Sequence, residues 1–527
     1  MLHPYFSAVV RPHPRLLIAA LSLALGAGAL PARAQNELTN FTATGRGGAV
    51  NALATEYQAL GINPANLGRA TGVKVAFTVM EFGVSMSSQT APRSIFNNYI
   101  FNTEKQFARD ASGKEPGATA TNPIGPERQA AIDAFTGKNV GIVQGDLVPI
   151  AVSYYHPNFG GIAINTRYRL FGSADLGKDA AEMLFAGNNA SVIRNNFDLR
   201  TGLPKANASI PTIAEALKDT RIQIQAVQEF NIGYGRRIYE GEGLSLSLGI
   251  GYRYLRGIGI LDVRSDGKTL SAYGALSPVF EAEYPASIAR DAAFNFKNKG
   301  GTSARFPSVG SGSGLDIGVS VTVAKNVHLS ASIIDIGRMT WKANSVEIDP
   351  TQAITAFGRD ANDPGEVTDA EGYKGISTYN FWKSLKRFQV NSDGATSPFK
   401  YKAAGERKIN LPTRLRVGAG TDINEKLTVA VDGQIPFYSE IAGSYQSALV
   451  GAGVTYKPVY WLHLSTGVSG GAGFGASFPI GLAIVTRTYE GGIATRDVTG
   501  YFGEKNPYLS VVAGFLRFKI GAPNSNE

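Results

Sequence analysis

Fourteen segments of the chain alternate apolar and polar residues, and the connections between them alternate in length. In residues 243–255, Leu246 and Leu248 share one face while Ser247 and Arg253 share the other. Such period-two alternation is typical of strands that separate two unlike environments. Connections after the first, third, fifth and seventh segments have about 50 residues or more, and those after even-numbered segments have two to about six.

An even number of antiparallel strands with all long connections on one side predicts a transmembrane β-barrel of the outer membrane. A soluble β-sandwich, the alternative, would show no such separation of long and short connections. We therefore expect an all-β, antiparallel barrel of about 14 strands over residues 71–527. The tight turns would face the periplasm, and the long loops would be extracellular, at about 88–138, 171–220, 264–313 and 349–408.

The first 34 residues have the features of a secretory signal peptide. An apolar run at 16–30 is too short to span a bilayer, and Ala32, Arg33 and Ala34 form a small-x-small cleavage site. We expect residues 1–34 to be removed on export to the outer membrane of a gram-negative bacterium. The chain contains no cysteine, so its stability cannot depend on disulfides. The net charge of +9 includes no dense basic block, and we expect no nucleic-acid partner.

Residues 35–70 read neither as a strand nor as a long helix. Pro64 fixes its own backbone and pushes Asn63 towards an extended conformation, and Asn66 can hydrogen-bond a neighbouring turn. We expect this stretch to form a small hatch in the lumen, held by Asn63, Pro64 and Asn66. It could move when a ligand arrives or remain a fixed plug. It is far too small for the plug domain of an energised transporter.

Charged residues on the polar strand faces are expected to point into the lumen: Glu229, Arg253, Asp316, Asp335, Arg338, Arg414, Arg416 and Asp432. The apolar face slips at Ile333 and Ile334, which predicts a β-bulge that turns Asp335 inward, close to Asp316. Two carboxylates near Arg338 could form a gate or an ion site. The structural alternative is a charged layer that braces the barrel and the hatch.

The sequence pattern of the fourth long connection predicts an amphipathic helix. Phe381, Trp382, Leu385 and Phe388 recur at helical spacing, with basic residues between them. An apolar stripe there could receive a hydrophobic ligand or lie against the outer leaflet. It could equally pack beneath its own loop.

The segment before the first strand, with Asn63, Pro64 and Ala65, resembles that of FadL-type outer-membrane transporters of hydrophobic compounds. The chain is also similar to PorV-like barrels and, most closely, to an uncharacterised domain-of-unknown-function family of the same type, through residues 57–68, 314–340 and 381–385. The FadL resemblance implies an N-terminal hatch in the lumen, ligand entry through the extracellular loops and a sideways exit.

The resemblance favours passive uptake of hydrophobic or amphipathic small molecules, with outer-membrane lipid as the surroundings. The alternative is a structural or secretion-associated barrel that binds a protein partner through its extracellular loops, and a simple porin comes third. No His-Glu-x-x-His motif is present. We therefore expect no enzymatic activity, no cofactor and no metal.

Overall fold

The computed structural model describes residues 38–88, 92–96, 124–136, 140–186, 189–198, 203–280, 308–324, 326–351, 353–354, 401–438, 441–444, 447–471, 474–503 and 508–521. The predicted signal peptide at 1–34 lies outside these described residues. So does the predicted apolar helix with Phe381, Trp382, Leu385 and Phe388.

Within these ranges, nineteen strands make one antiparallel sheet. They are β1 (Val75–Ser88), β2 (Val140–His156), β3 (Gly160–Asp175), β4 (Thr220–Gly241), β5 (Leu244–Ser265), β6 (Leu270–Leu276), β7 (Gly310–Val323), β8 (Val327–Trp341), β9 (Ser345–Ile348), β10 (Tyr401–Ala403), β11 (Arg407–Asn410), β12 (Arg414–Asn424), β13 (Leu427–Pro436), β14 (Leu449–Val459), β15 (Leu462–Gly471), β16 (Phe474–Ser477), β17 (Ile480–Val485), β18 (Tyr489–Thr495) and β19 (Tyr508–Ile520).

The sheet closes on itself because β1 pairs with both β2 and β19. Fourteen of the strands form the complete ring, in which β5 pairs with β7, β8 with β12 and β15 with β17. The remaining short strands, β6, β9, β10, β11 and β16, extend the wall at the end that carries the long connections. The predicted antiparallel barrel of 14 strands is confirmed.

Several strands continue beyond the segments that the alternation marked. The strands β4 and β5 each have 22 residues, whereas the alternating pattern covers only 221–235 and 243–255. The additional residues of β4, 236–241, lie at the tight-turn end, where they pair with the start of β5. The additional residues of β5, 256–265, lie at the other end and reach the start of the predicted extracellular loop at 264–313.

The outward face of the wall is an apolar belt. Ile250, Leu248, Ile232 and Leu482 are among its exposed side chains. Next to the tight turn between β14 and β15, Tyr456, Tyr460 and Trp461 are also exposed, with 48%, 74% and 40% of their surface accessible. Aromatic residues at the edge of an apolar belt are typical of the membrane interface. Because outer-membrane barrels have short periplasmic turns and long extracellular loops, we refer to the turn end as the periplasmic end and to the loop end as the extracellular end.

Short helices occupy the connections. On the loop side these are Arg93–Phe96, Pro126–Phe135, Lys178–Ala186, Ser191–Asn196, Ile213–Ala216, the 3-10 helix Pro278–Phe280 and Thr499–Phe502. Before β1 come the helix Phe41–Gly45 and the 3-10 helices Glu56–Ala59 and Pro64–Gly68. None of the helices in the described ranges has both the length and the apolarity needed to cross a bilayer.

Position along β5 should decide how well the wall tolerates a charge. Ile250 lies midway along the apolar belt, and Leu244 lies at its periplasmic edge. We expect Ile250→Arg to lower the free energy of unfolding by about 2–4 kcal/mol, because the guanidinium enters hydrocarbon, and Leu244→Arg by about 0–1 kcal/mol. Reversible guanidinium unfolding in lipid vesicles measures both. Equal losses would contradict the placement of the bilayer.

Candidate functional site

Residues 38–70, the N-terminal segment, lie inside the barrel. The helix Phe41–Gly45 packs against β17 and β18, Glu56–Ala59 against β2 and β3, and Pro64–Gly68 against β4, β5 and β7. These strands occupy different sides of the closed ring. A single segment can contact all of them only from the lumen.

Asn63, Pro64 and Asn66 are buried at the centre of this segment. Asn63 Oδ1 accepts the N–H of Ala65 at 3.0 Å and so caps the 3-10 helix that Pro64 begins. Its Nδ2 donates to the Val319 carbonyl oxygen in the wall at 3.0 Å. Asn66 Nδ2 donates within the segment, to the carbonyl oxygen of Asn51 at 2.8 Å.

Glycines in the wall allow the segment to approach so closely. A Cβ on Gly318 would overlap the Asn63 amide, and a Cβ on Gly249 would overlap the backbone at Pro64 and Ala65. Any side chain at either position would push the segment away from β5 and β7. The many glycines of the strands therefore have a packing role as well as a conformational one.

Asp432 binds the first half of the segment to β13. Its carboxylate accepts the backbone N–H groups of Val50 at 3.1 Å and Asn51 at 2.8 Å. The Arg416 guanidinium lies 3.6 Å from the same carboxylate, and both side chains are buried. Two backbone donors and one cation thus converge on one carboxylate, an arrangement that stabilises its charged form.

The second half of the segment is held by ionic contacts near the periplasmic end. Arg517 lies 2.8 Å from Glu56 in the segment and 2.9 Å from Glu490 in β18. The Tyr57 hydroxyl donates to Glu81 of β1. Burial raises the pKa of Tyr57 well above its usual value, so the phenol keeps its proton. Sequence analysis did not assign Glu56, Tyr57 or Glu81 to the site.

Above the segment, eight buried side chains form what we call the charged cluster. Its members are Asp146, Arg167, Arg169, Glu229, Arg253, Asp316, Asp335 and Arg414. With ordinary ionisation the four acids balance the four arginines, so the cluster is electrically neutral. They come from seven strands, β2 to β5, β7, β8 and β12, and lie across the lumen at one level.

Arg253 is the centre of the charged cluster. Its guanidinium lies 2.7 Å from Asp316, 2.7 Å from Asp335 and 3.8 Å from Glu229. The Arg169 guanidinium lies 2.8 Å from Glu229 and 3.8 Å from Asp335, and so links these two carboxylates. The cluster can therefore brace the wall from several sides, because each charge contacts residues of neighbouring strands.

The bulge predicted in β8 is present. Leu315 pairs with Ile336 and Ile317 with Ile333, so two residues of β8 oppose the single Asp316. Asp335 has a φ of 61°, and its backbone N–H donates to Asp316 Oδ1 at 2.8 Å. Both carboxylates consequently point into the lumen, as the sequence predicted.

The expectation that Arg338 points into the lumen was wrong. The extra residue of the bulge shifts the alternation, so that beyond Asp335 the inward positions of β8 include Met339 and Trp341, which are buried. Arg338 is exposed on the outer wall, opposite Ser313. It therefore takes no part in the charged cluster.

The sequence-based prediction did not include Asp146, Arg167 and Arg169 among the lumen residues. Arg167 Nη2 lies 2.8 Å from Asp146 Oδ2. The alternation along β3 could have identified the two arginines. Ile162 and Ile164 are outward and exposed, which places Arg167 and Arg169 on the opposite, inward face. On β2 the register shifts between Leu147 and Ile150, so one alternation could not be followed through Asp146.

The extracellular half of the lumen is lined differently. Val227, Leu255, Tyr273, Met339, Trp341 and Leu411 pack into one buried group, called here the apolar cluster. Leu255 lies two residues beyond Arg253 on the same face of β5, and Met339 and Trp341 are inward on β8. Going inwards from the outside, the lumen is apolar first, then charged, then filled by the N-terminal segment.

No group of three or more His, Asp or Glu side chains within the described ranges is arranged to hold a metal ion. The chemistry of the lumen is that of paired ions, backbone acceptors and apolar surface.

The fold, the apolar outer belt and the filled lumen define an outer-membrane β-barrel. The chain belongs to DUF5723, a family of unknown function that matches residues 82–488. A search of curated proteins finds no match.

Among solved structures, the chain is similar to the toluene transporter TodX of P. putida, with 10% identity and a TM-score of 0.40 over 92% of this chain and 99% of that one. It is similar to the Ralstonia pickettii toluene transporter TbuX, with 11% identity and a TM-score of 0.39 over 92% and 98%. The same holds for a Pseudomonas aeruginosa FadL homologue, with 10% identity and a TM-score of 0.39 over 92% and 98%.

Loss of the Asp432 carboxylate should release the first half of the N-terminal segment. We expect Asp432→Ala to lower the free energy of unfolding by about 3–5 kcal/mol, because it removes an ionic partner of the buried Arg416 and the acceptor of two backbone N–H groups. Limited proteolysis of the folded variant should then cut within residues 38–70. The control is Asp422→Ala, which removes an exposed carboxylate that lies 3.6 Å from Lys457 and should change stability by at most about 1 kcal/mol.

Proposed function

We propose that the protein takes up hydrophobic or amphipathic small molecules passively across the outer membrane. The apolar cluster is the observation that carries this proposal. A water-filled porin has a polar interior, whereas here Leu255, Met339 and Trp341 point inward in the extracellular half of the lumen. An apolar lining at the outer end favours entry of molecules that leave water readily.

The interior below the apolar cluster must rearrange for passage. A cavity beside Leu38, Val50 and Arg416 has a volume of about 20 Å³, whereas small-molecule sites occupy roughly 300–1,000 Å³. Displacing the N-terminal segment would open this space and leave the pairing of the closed sheet intact. We therefore propose that this segment is a hatch that moves.

The second candidate is a structural or secretion-associated barrel without transport. The observation that favours it is the packing of the lumen, in which Arg253, Arg414 and Arg416 are each about 1% exposed. In that case the N-terminal segment is a fixed plug, and a protein partner would bind the extracellular loops.

A disulfide between the segment and the wall separates the two candidates. A Cβ added to Gly45 would lie 2.9 Å from Gly481 Cα and 3.1 Å from Ser465 Cβ. A small shift of the helix Phe41–Gly45 away from the wall relieves the first contact and brings the two Cβ atoms to the roughly 3.5–4.5 Å of a disulfide. The unmodified chain has no cysteine. In vesicles containing the full mature chain, we expect oxidised Gly45→Cys/Ser465→Cys protein to take up a lipophilic fluorescent probe at least about ten times more slowly than the reduced protein.

The single variants Gly45→Cys and Ser465→Cys, given the same oxidant, are the controls and should keep their uptake. Equal uptake by the oxidised and reduced double variant would show that the segment need not move. No uptake above empty vesicles by the unmodified protein would overturn the transport proposal and favour the scaffold.

A further inference from the structure

The outer wall carries a polar row at its extracellular end. On β3, β4, β5, β7, β8 and β11, cross-strand pairing aligns six outward residues: Tyr168, Gln228, Arg256, Ser311, Thr340 and Lys408. The Gln228 amide donates to the Tyr168 hydroxyl at 2.9 Å, and Arg256 donates to the Gln228 oxygen at 3.1 Å. Outward residues that hydrogen-bond one another in this way do not suit hydrocarbon.

Two rows nearer the periplasm the same strands are apolar. Ile164, Ile232, Tyr252, Leu315 and Ile336 align across the wall, and all are exposed. Along β5, the apolar face runs from Leu244 to Tyr254, which is a rise of about 25 Å at about 3.3 Å per residue and a tilt of about 40°. This equals the height of an outer-membrane apolar belt. The boundary between hydrocarbon and head groups therefore lies between the two rows.

Arg338 lies on this boundary, in the intermediate row. It pairs with Ser313 on one side and with Asn410 on the other. Its side chain is exposed and, within the described part of the chain, forms neither a hydrogen bond nor an ion pair. Lys408 lies diagonally next to it, but its ammonium is 3.2 Å from Glu406. Among the described residues, no acidic side chain lies within ion-pair distance of the Arg338 guanidinium.

A groove of about 440 Å³ opens at Arg338 on the outer wall. Its periplasmic side is formed by Tyr252, Leu315 and Ile336, and its extracellular side by Ser313, Arg338 and Asn410. The backbone of Gly314 and Gly337 forms part of its floor. The groove thus offers apolar surface for an acyl chain, a guanidinium for a phosphate, and hydroxyl and amide groups for sugar hydroxyls.

We propose that this groove binds the phosphorylated glycolipid of the outer leaflet, with its phosphate on Arg338 and an acyl chain along Leu315 and Ile336. The depth of Arg338 places it at the head groups of the outer leaflet, and the neutral polar residues beside it fit sugars better than a small phospholipid head. The site depends on the orientation of the barrel and not on the proposed transport, because it lies on the outer wall.

Binding of lipid A tests the site. The full mature chain in detergent is titrated with bis-phosphorylated lipid A, and bound lipid is counted by native mass spectrometry. Arg338→Ala should weaken binding about five-fold, and Arg338→Glu by more, because one basic side chain near a membrane surface has about this effect. Arg338→Lys should retain most of the binding, and Lys426→Glu, at an exposed turn of the periplasmic end, should retain all of it.

Two further lipids test which kind of lipid head group the groove binds. Phosphatidylethanolamine should bind weakly and equally to all variants. If phosphatidylglycerol binds as tightly as lipid A with the same dependence on Arg338, the ligand is a phospholipid and the glycolipid assignment is overturned. Equal binding of lipid A to Arg338→Glu and the unmodified protein would overturn the site itself, provided that both migrate as folded barrels on unheated gels.

Discussion

Closure of the sheet is the constraint on which the rest of the structure depends. In hydrocarbon an unpaired backbone N–H or C=O group costs several kcal/mol, so a membrane sheet cannot leave an edge strand open. The seam between β1 and β19 meets this requirement, with pairing from Val75 opposite Ile520 to Ser87 opposite Tyr508 that is interrupted at Met80. Closure then fixes which side of every strand faces lipid and which faces the lumen, and all other features follow from that division.

A lumen that is closed on all sides must be filled by something. In the periplasmic half the chain uses its own N-terminal segment, which contacts strands on opposite sides of the ring through Phe41–Gly45 and Pro64–Gly68. This packing requires glycines such as Gly249 and Gly318 in the wall. Inward-facing glycine, unusual for a strand in a soluble protein, is therefore a consequence of placing a segment of chain within a barrel of this size.

Much of this arrangement could be predicted from the sequence, because alternation along a strand is a direct consequence of the two faces it presents. The slip at Ile333 and Ile334 even located the bulge that turns Asp335 towards Asp316. The same bulge explains the error at Arg338, since an extra residue shifts the alternation beyond it. Asp146 was missed for a related reason, because β2 changes register between Leu147 and Ile150.

What alternation along single strands could not provide was the contact between strands. That Arg169, Arg253 and Arg414 meet Glu229, Asp316 and Asp335 at one level depends on the stagger between strands, which the lengths of turns determine only loosely. The contacts of the N-terminal segment were equally hidden, because Asn51 and Asp432 are 381 residues apart. Periodicity along one strand predicts which face of the sheet a side chain lies on. The stagger between neighbouring strands determines which side chains it contacts on that face.

The charged cluster is difficult to explain by stability alone. Burying ions is unfavourable, and well-packed apolar residues of similar volume often stabilise a protein as much or more than a buried ion pair. The apolar cluster directly above, with Leu255 and Trp341, shows that this lumen can be filled by apolar side chains. A neutral network centred on Arg253 instead forms a floor that an apolar molecule cannot enter without separating paired ions. The boundary between the two clusters is therefore the level at which the proposed transport must be controlled, and the N-terminal segment below it is the element that we propose to move.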